Sequence, residues 1–337
     1  MIPIFILGMY RSGTSWLLRC LCAHPAIRGL PEIDLVRATL LPDATDASQI
    51  RPRAEWLHQL FVDNRWARLD IVSLLDAQMR PVDNLDVGLT ALADAAGRSF
   101  ARNSKGRSRF YGIPVGLRNL TAGEAAELIH ALHAAPSQLE FIRAFVSLHA
   151  QYLGDPPFFV TKAPDGVVGV DAIRRAFAAA KILVIVRDGR DVAISATHFR
   201  RLHALENLSY EALLETWAER ASAVAAAAQA GKLGIVRYED LSGDFAATFG
   251  RLLEWLGADA DPSLVRQIEA ATSFEAITGR SRGQAAVASA RKGAAHEWID
   301  ELSYWTKRQA WVTAGPVLER FGYTRTATLA TAYPGKI

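Results

Sequence analysis

The sequence predicts an α/β protein with a P-loop-like central parallel sheet flanked by helices. Residues 3–8 (PIFILG) form an apolar run that ends in glycine, as a parallel strand buried on both faces does. Further short apolar runs follow at Phe158–Thr161, Ile182–Val186 and Leu233–Arg237. Helical patterns lie beside them, at 15–23, 171–180, 192–199 and 245–256. Strands alternating with helices build a sheet covered on both sides.

The first helix is expected to stop at His24-Pro25, because a residue before proline resists helical dihedrals. Between residues 43 and 157 the pattern changes. Trp56, Leu57, Leu60 and Phe61 recur at helical spacing, and so do Leu128, Leu132, Leu139, Phe141, Ile142 and Phe145. This stretch reads as a mostly helical insertion forming a substrate cap within one domain spanning 1–337. Residues 278–292, rich in Gly, Ser, Arg and Ala, read as a mobile loop. A terminal helix stops at Gly322, and the last dozen residues read as loose.

The chain of 337 residues is 50% hydrophobic, 22% charged and carries a net charge of +3. That supports a packed core and suits an anionic ligand, but not nucleic acid, which brings a clustered basic face. Cys20 and Cys22 diverge on the first helix, so no disulfide is expected between them. A reducing, cytoplasmic location is expected. The opening MIPIFILGMYRSG lacks a basic leader and reads as a strand, not a signal peptide. No stretch approaches the roughly 18 apolar residues of a membrane helix. The Ala-rich segment 221–230 reads as an ordinary helix.

Gly8-Met9-Tyr10-Arg11-Ser12-Gly13-Thr14-Ser15 joins the first strand to the first helix, where a phosphate-binding loop belongs. Backbone N–H groups converge in such a turn, and the helix N-terminus adds positive potential. The glycine spacing fits a nucleotide-triphosphatase loop, but Thr14 stands where that motif carries lysine. The lysine would hold the β- and γ-phosphates. Arg11 instead offers a planar fork to a phosphate or sulfonate.

FILGMYRSGTSWL resembles the 5′-phosphosulfate loop of sulfotransferases that use 3′-phosphoadenosine 5′-phosphosulfate (PAPS), and its arginine and following HP are closest to the bacterial and tyrosylprotein branch. The resemblance runs over residues 3–42 and 158–323. It implies that Arg11, Ser12, Gly13, Thr14 and Ser15 hold the 5′ side of PAPS. KILVIVRDGRDVAISATHF, from Lys181, is similar to the family's 3′-phosphate motif, with Arg187 and Ser195 at the matching positions. Read without the family, Arg187 is a strand-end arginine paired with Asp188 or Asp191. GIVRYEDL and Thr272-Ser273-Phe274 resemble adenine-side segments, which implies Tyr238, Thr272 and Phe274. Arg291-Lys292-Gly293 resembles the RKG motif that clasps the 3′-phosphate, and Trp298 the tryptophan that follows it. Each of these is otherwise a core aromatic or a solvated turn.

The family reaction is in-line sulfuryl transfer to an acceptor hydroxyl, with adenosine 3′,5′-bisphosphate as product and no metal. No His or carboxylate cluster in the sequence has clear metal-ligand spacing. Arg11 and Lys162, the latter in FFVTKAPD, are implied to stabilise the leaving phosphate. The stretch from Lys162 to Asp165 lacks the histidine of the cytosolic branch. Glu32, in GLPEIDL, is implied as the base, with Asp34, Asp165 and His24 in reserve, although His24 also reads as a helix-ending structural residue. The acceptor class (small molecule, phenol or peptide tyrosine) and the oligomeric state are not legible, and neither nucleic acid nor a membrane is expected as a partner. A P-loop nucleotide kinase or NTPase is the alternative activity, and a non-catalytic nucleotide-binding protein is the other.

Overall fold

The structure, a computed structural model, describes residues 1–30, 109–110, 113–114, 140, 143–144, 146–147, 150–151, 153–164, 170–202, 208–284, 292–326 and 328–337. Two compact units emerge, one from Met1–Ile4 with Pro25–Ala180 and one from Phe5–His24 with Lys181–Ile337. The main sheet has five strands in the order β2-β5-β1-β6-β7: β1 Ile2–Gly8, β2 Ile27–Leu30, β5 Phe158–Pro164, β6 Lys181–Val186 and β7 Gly234–Arg237. Four of these five strands match the apolar runs of the sequence.

In the first unit β2 runs parallel to β5, from Ile27 opposite Phe158 to Leu30 opposite Thr161. This strand was not foreseen, because Arg28 and Gly29 interrupt its apolar pattern. A two-residue antiparallel pair, β3 Arg109–Phe110 with β4 Ile113–Pro114, was equally unforeseen within the insertion. Residues described between 140 and 151 are helical, as expected, and the rest of the insertion lies outside the described residues. The helix α2, Val170–Ala176, ends four residues before the expected Ala180, because Phe177–Ala180 close a turn instead.

In the second unit β6 and β7 are parallel, with Leu183 opposite Gly234 and Val186 opposite Arg237. Phe5, Ile6, Leu7, Leu183, Ile185 and Ile235 are wholly buried. Each such side chain contributes roughly 1.5–3 kcal/mol. The helices are α1 Thr14–Cys22, α3 Gly189–Leu202, α4 Tyr210–Gln229, α5 Tyr238–Gly243, α6 Phe245–Leu256, α7 Pro262–Thr272, α8 Phe274–Thr278, α9 Trp298–Glu301 and α10 Tyr304–Arg320. Their starts follow local chemistry. Ser209, Asp244 and Ser303 each accept an N–H from three residues on, and Asp261 caps α7 ahead of Pro262.

Cys20 and Cys22 are both free thiols, and burial pushes the Cys20 thiol up to about 12. The end of the chain is not loose. Ile235 donates to Gly335 O at 2.6 Å and accepts from Ile337 N at 3.2 Å, so the tail lies along β7. Tyr333 is buried and donates to Asp240 Oδ2 at 3.2 Å. Among the described residues no helix is long and apolar enough to cross a membrane.

Candidate active site

The loop after β1 is a tight turn in which Ser12 N donates to Met9 O at 3.1 Å. Gly13 has φ 98°, and a Cβ there would stand 2.8 Å from Tyr238 Cδ2. Glycine is the residue that meets both demands. Its carbonyl accepts from Trp16 N and Leu17 N, starting α1. Ser12 and Thr14 are buried and Ser15 is half-buried. The first amides of a helix have no intrahelical acceptor, which leaves them to a ligand or solvent.

Arg11 holds a left-handed backbone, φ 72°. For a side chain other than glycine that conformation costs of order 1–3 kcal/mol and persists only where surroundings enforce it. Its Nε donates to Ser195 Oγ at 3.1 Å, and its guanidinium lies 5.0 Å from the Phe199 ring centroid. Ser195 sits on α3, seven residues into the helix from Gly189.

Arg187 follows β6 and is buried. Nη1 donates to Arg11 O at 3.3 Å and Nη2 to Ala294 O at 2.8 Å. Asp191 stands at 3.6 Å and Glu297 at 3.8 Å, and the guanidinium lies 4.7 Å from the Tyr238 ring centroid. Burial opposes its charge, but Tyr238, Asp191, Glu239 and Glu297 together hold its pKa above the ordinary value. Nε is buried with no partner among the described residues. Arg11, Ser195 and Arg187 thus form one linked set. The pairing of Arg187 with Asp191, the reading without the family, is present at the same time.

The segment after residue 291 folds onto this set. Tyr238 OH donates to Gly293 O at 2.8 Å. Gly293 has φ 63°, and a Cβ there would collide with the Phe274 ring. Asp191 accepts His296 N at 2.7 Å and Trp298 N at 2.9 Å, and burial pushes its carboxyl up to about 6. Lys292 is engaged by Glu301 at 2.8 Å and by Glu297 at 3.6 Å. Thr272 donates its hydroxyl to Ile268 O at 2.7 Å, so that oxygen can only accept further bonds. Its carbonyl accepts Trp16 Nε1 at 2.9 Å. Trp16 meets Tyr238 edge-on at 5.5 Å and was not singled out from sequence, although it directly follows the loop hydroxyls. Asp191, read from sequence only as a possible partner of Arg187, also holds the amides of His296 and Trp298, a use the sequence did not signal.

Lys162 lies on β5 in the first unit and is only 5% exposed, a rare state for lysine. His24 Nε2 bonds Asp259 O at 3.0 Å and its N–H caps α1, which is a structural use. Glu32, Asp34, Asp165 and Arg291 lie outside the described residues, as does 285–290 of the expected mobile loop. Among the described residues no group of three His, Cys, Asp or Glu side chains could hold a metal.

A parallel sheet with a glycine-bearing loop after β1, and two linked arginines following β1 and β6, defines a P-loop-like α/β protein. The family model for sulfotransferases matches residues 3–262, well over half of the sequence, and the chain belongs to the sulfotransferase family, enzymes of sulfuryl transfer. The mouse sulfotransferase SULT7A1, solved in complex with PAP, is 13% identical at a TM-score of 0.50, covering 94% of this chain and 85% of that one. That likeness shows a shared fold. The sulfotransferase domain of the Synechococcus PCC 7002 olefin synthase is 15% identical at a TM-score of 0.49, covering 96% of this chain and 95% of that one. Sulfotransferase STF9 from Mycobacterium avium is 15% identical at 0.47, with 96% and 77% covered. No curated protein matches the chain significantly.

Proposed function

We propose that this enzyme takes its sulfuryl group from PAPS and delivers it to the hydroxyl of a small molecule, a phenol or a peptide tyrosine. One observation carries the reading. Arg11, Ser195 and Arg187 are linked to one another, and the buried Arg187 Nε still lacks an acceptor. A desolvated N–H without a partner costs about 1–3 kcal/mol, and a phosphate oxygen would remove that cost. The glycines at 13 and 293 let the Tyr238 and Phe274 rings, both assigned to the adenine side, pack directly against the loop backbone where a Cβ would collide.

In this reading the amides of residues 12–15 and Arg11 hold the 5′ side. Arg187, Ser195, Arg291 and Gly293 hold the 3′-phosphate, and Tyr238, Thr272 and Phe274 border the adenine. Lys292, tied to Glu297 and Glu301, supports that loop from behind. Bound there, PAPS supplies the sulfuryl group. Glu32 takes the proton of the acceptor hydroxyl as the new S–O bond forms and the bond to the nucleotide phosphate breaks. Arg11 and Lys162 counter the charge left on that phosphate, a charged hydrogen bond contributing roughly 1.5–3 kcal/mol. The assignments of Glu32 and Lys162 rest on sequence resemblance alone. The small net charge and reduced cysteines favour a cytoplasmic setting without nucleic-acid or membrane partners.

Calorimetry in EDTA tests the donor. Adenosine 3′,5′-bisphosphate should bind, and ATP with Mg²⁺ should not compete effectively. Binding that needs Mg²⁺, or that favours ATP, would return the protein to the kinase or NTPase reading, in which Thr14 would have to do without the loop lysine.

A further inference from the structure

We propose that the C-terminal helix carries a second ligand site, distinct from the nucleotide residues, for a planar aromatic anion. Helix α10 packs through Ala310, Ala314, Gly315 and Leu318. Tyr304, Lys307, Arg308 and Trp311 fall at i, i+3, i+4 and i+7 and therefore share a different face. With Arg190, Trp298 and Arg325 they border a cavity of about 430 Å³, within the size range of small-molecule sites.

The chemistry of this cavity is one-sided. Among the described residues four cations border it and no carboxylate does. Arg190 is neutralised by Asp188, whose carboxylate it meets at 2.9 and 2.6 Å. Lys307 donates to the Ile299 carbonyl, and among the described residues neither it nor Arg308 nor Arg325 has a carboxylate partner. The rings are arranged to receive cations or flat groups. Arg190 stacks 3.5 Å from the Trp298 centroid, while Trp311 has Arg325 at 5.4 Å and Arg190 at 5.7 Å. Tyr304 is 68% exposed, so a broad aromatic face opens outward. The indole Nε1 of Trp298 is buried without a partner among the described residues.

Flat walls select an aromatic body and unpaired exposed cations select an anionic substituent. An uncharged aromatic forgoes the cations, and inorganic sulfate forgoes the rings. The fitting class is therefore an aromatic sulfate, sulfonate or phosphate. An aryl sulfate and a nucleotide both carry that chemistry. None of Arg11, Arg187 and Ser195 borders the cavity.

The test titrates naphthyl sulfate into the full chain saturated with adenosine 3′,5′-bisphosphate and counts binding events by calorimetry and tryptophan fluorescence. Arg308→Glu and Trp311→Leu are the variants. Trp298 is avoided because its ring is buried and carries the Arg190 guanidinium at 3.5 Å. The expected result is a binding event that both variants weaken at least about tenfold, with unchanged bisphosphate affinity reporting an intact fold. Naphthol and inorganic sulfate should each bind at least about tenfold more weakly than naphthyl sulfate. A molecule of naphthyl sulfate in an acceptor pocket would survive in both variants, leaving one event fewer than in the parent. Displacement by further bisphosphate in the parent assigns the site to nucleotides, and persistence assigns it to aryl sulfates. The same number of events with the same affinity in the parent and in Arg308→Glu would overturn the proposal.

Discussion

Arg187 and Arg190 stand three residues apart where β6 gives way to α3, both almost wholly buried, and they are used in opposite ways. Arg190 leaves no buried side-chain donor without a partner among the described residues. Its fork closes on Asp188, Nη2 donates to Thr324 O at 2.9 Å, and its plane lies on Trp298. Arg187 has two backbone carbonyls, carboxylates only at 3.6 and 3.8 Å, and an orphaned Nε. One guanidinium spends its donors on the fold. The other organises a loop while keeping capacity in reserve. Burial alone therefore does not distinguish an arginine committed to the fold from one with a spare donor, whereas counting satisfied donors does.

Breaking the closed member should have the larger effect on the protein itself. Arg190→Ala strands the Asp188 carboxylate in the interior, and unfolding by denaturant should reveal a loss of about 3–5 kcal/mol. Bisphosphate affinity should change little in the folded fraction. Retained stability would mean that Arg190 is not the structural partner its contacts suggest. Breaking the open member should instead weaken binding. Arg187→Ala should lose about 10- to 100-fold in affinity for adenosine 3′,5′-bisphosphate, the range of one or two charged hydrogen bonds. Adenosine 5′-monophosphate should weaken far less. Equal losses for both nucleotides would show that Arg187 does not see the 3′ group, and the contrast between the two arginines would lose its functional meaning.

This contrast is only half legible in the sequence. β1, β5, β6 and β7 announce themselves because strands buried on both faces must be apolar throughout. β2 hides, because its four residues include Arg28, whose Nη1 donates to Pro25 O and Ile27 O at 2.9 Å. The polar head is satisfied locally, so a charged residue fits a strand that composition would reject. The glycine loop was readable because few residues tolerate φ near 98°. The run Arg187-Asp188-Gly189-Arg190-Asp191, in contrast, offers several pairings of similar spacing. Position on the chain does not say which aspartate takes which arginine. The choice follows from α3 starting at Gly189, which turns Asp191 back to within 3.6 Å of Arg187, and from Asp188 donating its N–H to Glu239 Oε1 at 3.0 Å. Tertiary burial selects among locally equivalent partners, and the pattern of residue types contains no trace of it.

The smallest effect, and the sharpest test of why Arg187 stays open, concerns protons. The Asp191 carboxyl is pushed by burial from its ordinary 3.8 up to about 6, even with Arg187 beside it pulling the other way. The folded chain holds this proton more tightly than the unfolded chain. The stabilising contribution is thus full below about pH 4 and is lost as the pH rises through about 6. An anion bound at Arg187 adds negative potential near Asp191 and raises its pKa further, so binding near neutral pH should take up a fraction of a proton. The ligand's own phosphates titrate near pH 6 and bind best as dianions, which releases protons and masks the uptake. Asp191→Asn separates the two. It cannot ionise, although it also accepts only one of the two N–H groups from His296 and Trp298, so its absolute affinity should fall severalfold. Calorimetry in buffers of different ionisation enthalpy should show the parent taking up a few tenths of a proton more than the variant at about pH 6.5. If the two exchange protons equally, the Asp191 carboxyl does not feel the ligand. Arg187 would then owe its unused donor to the geometry of β6 alone and not to a partner that yields when an anion arrives.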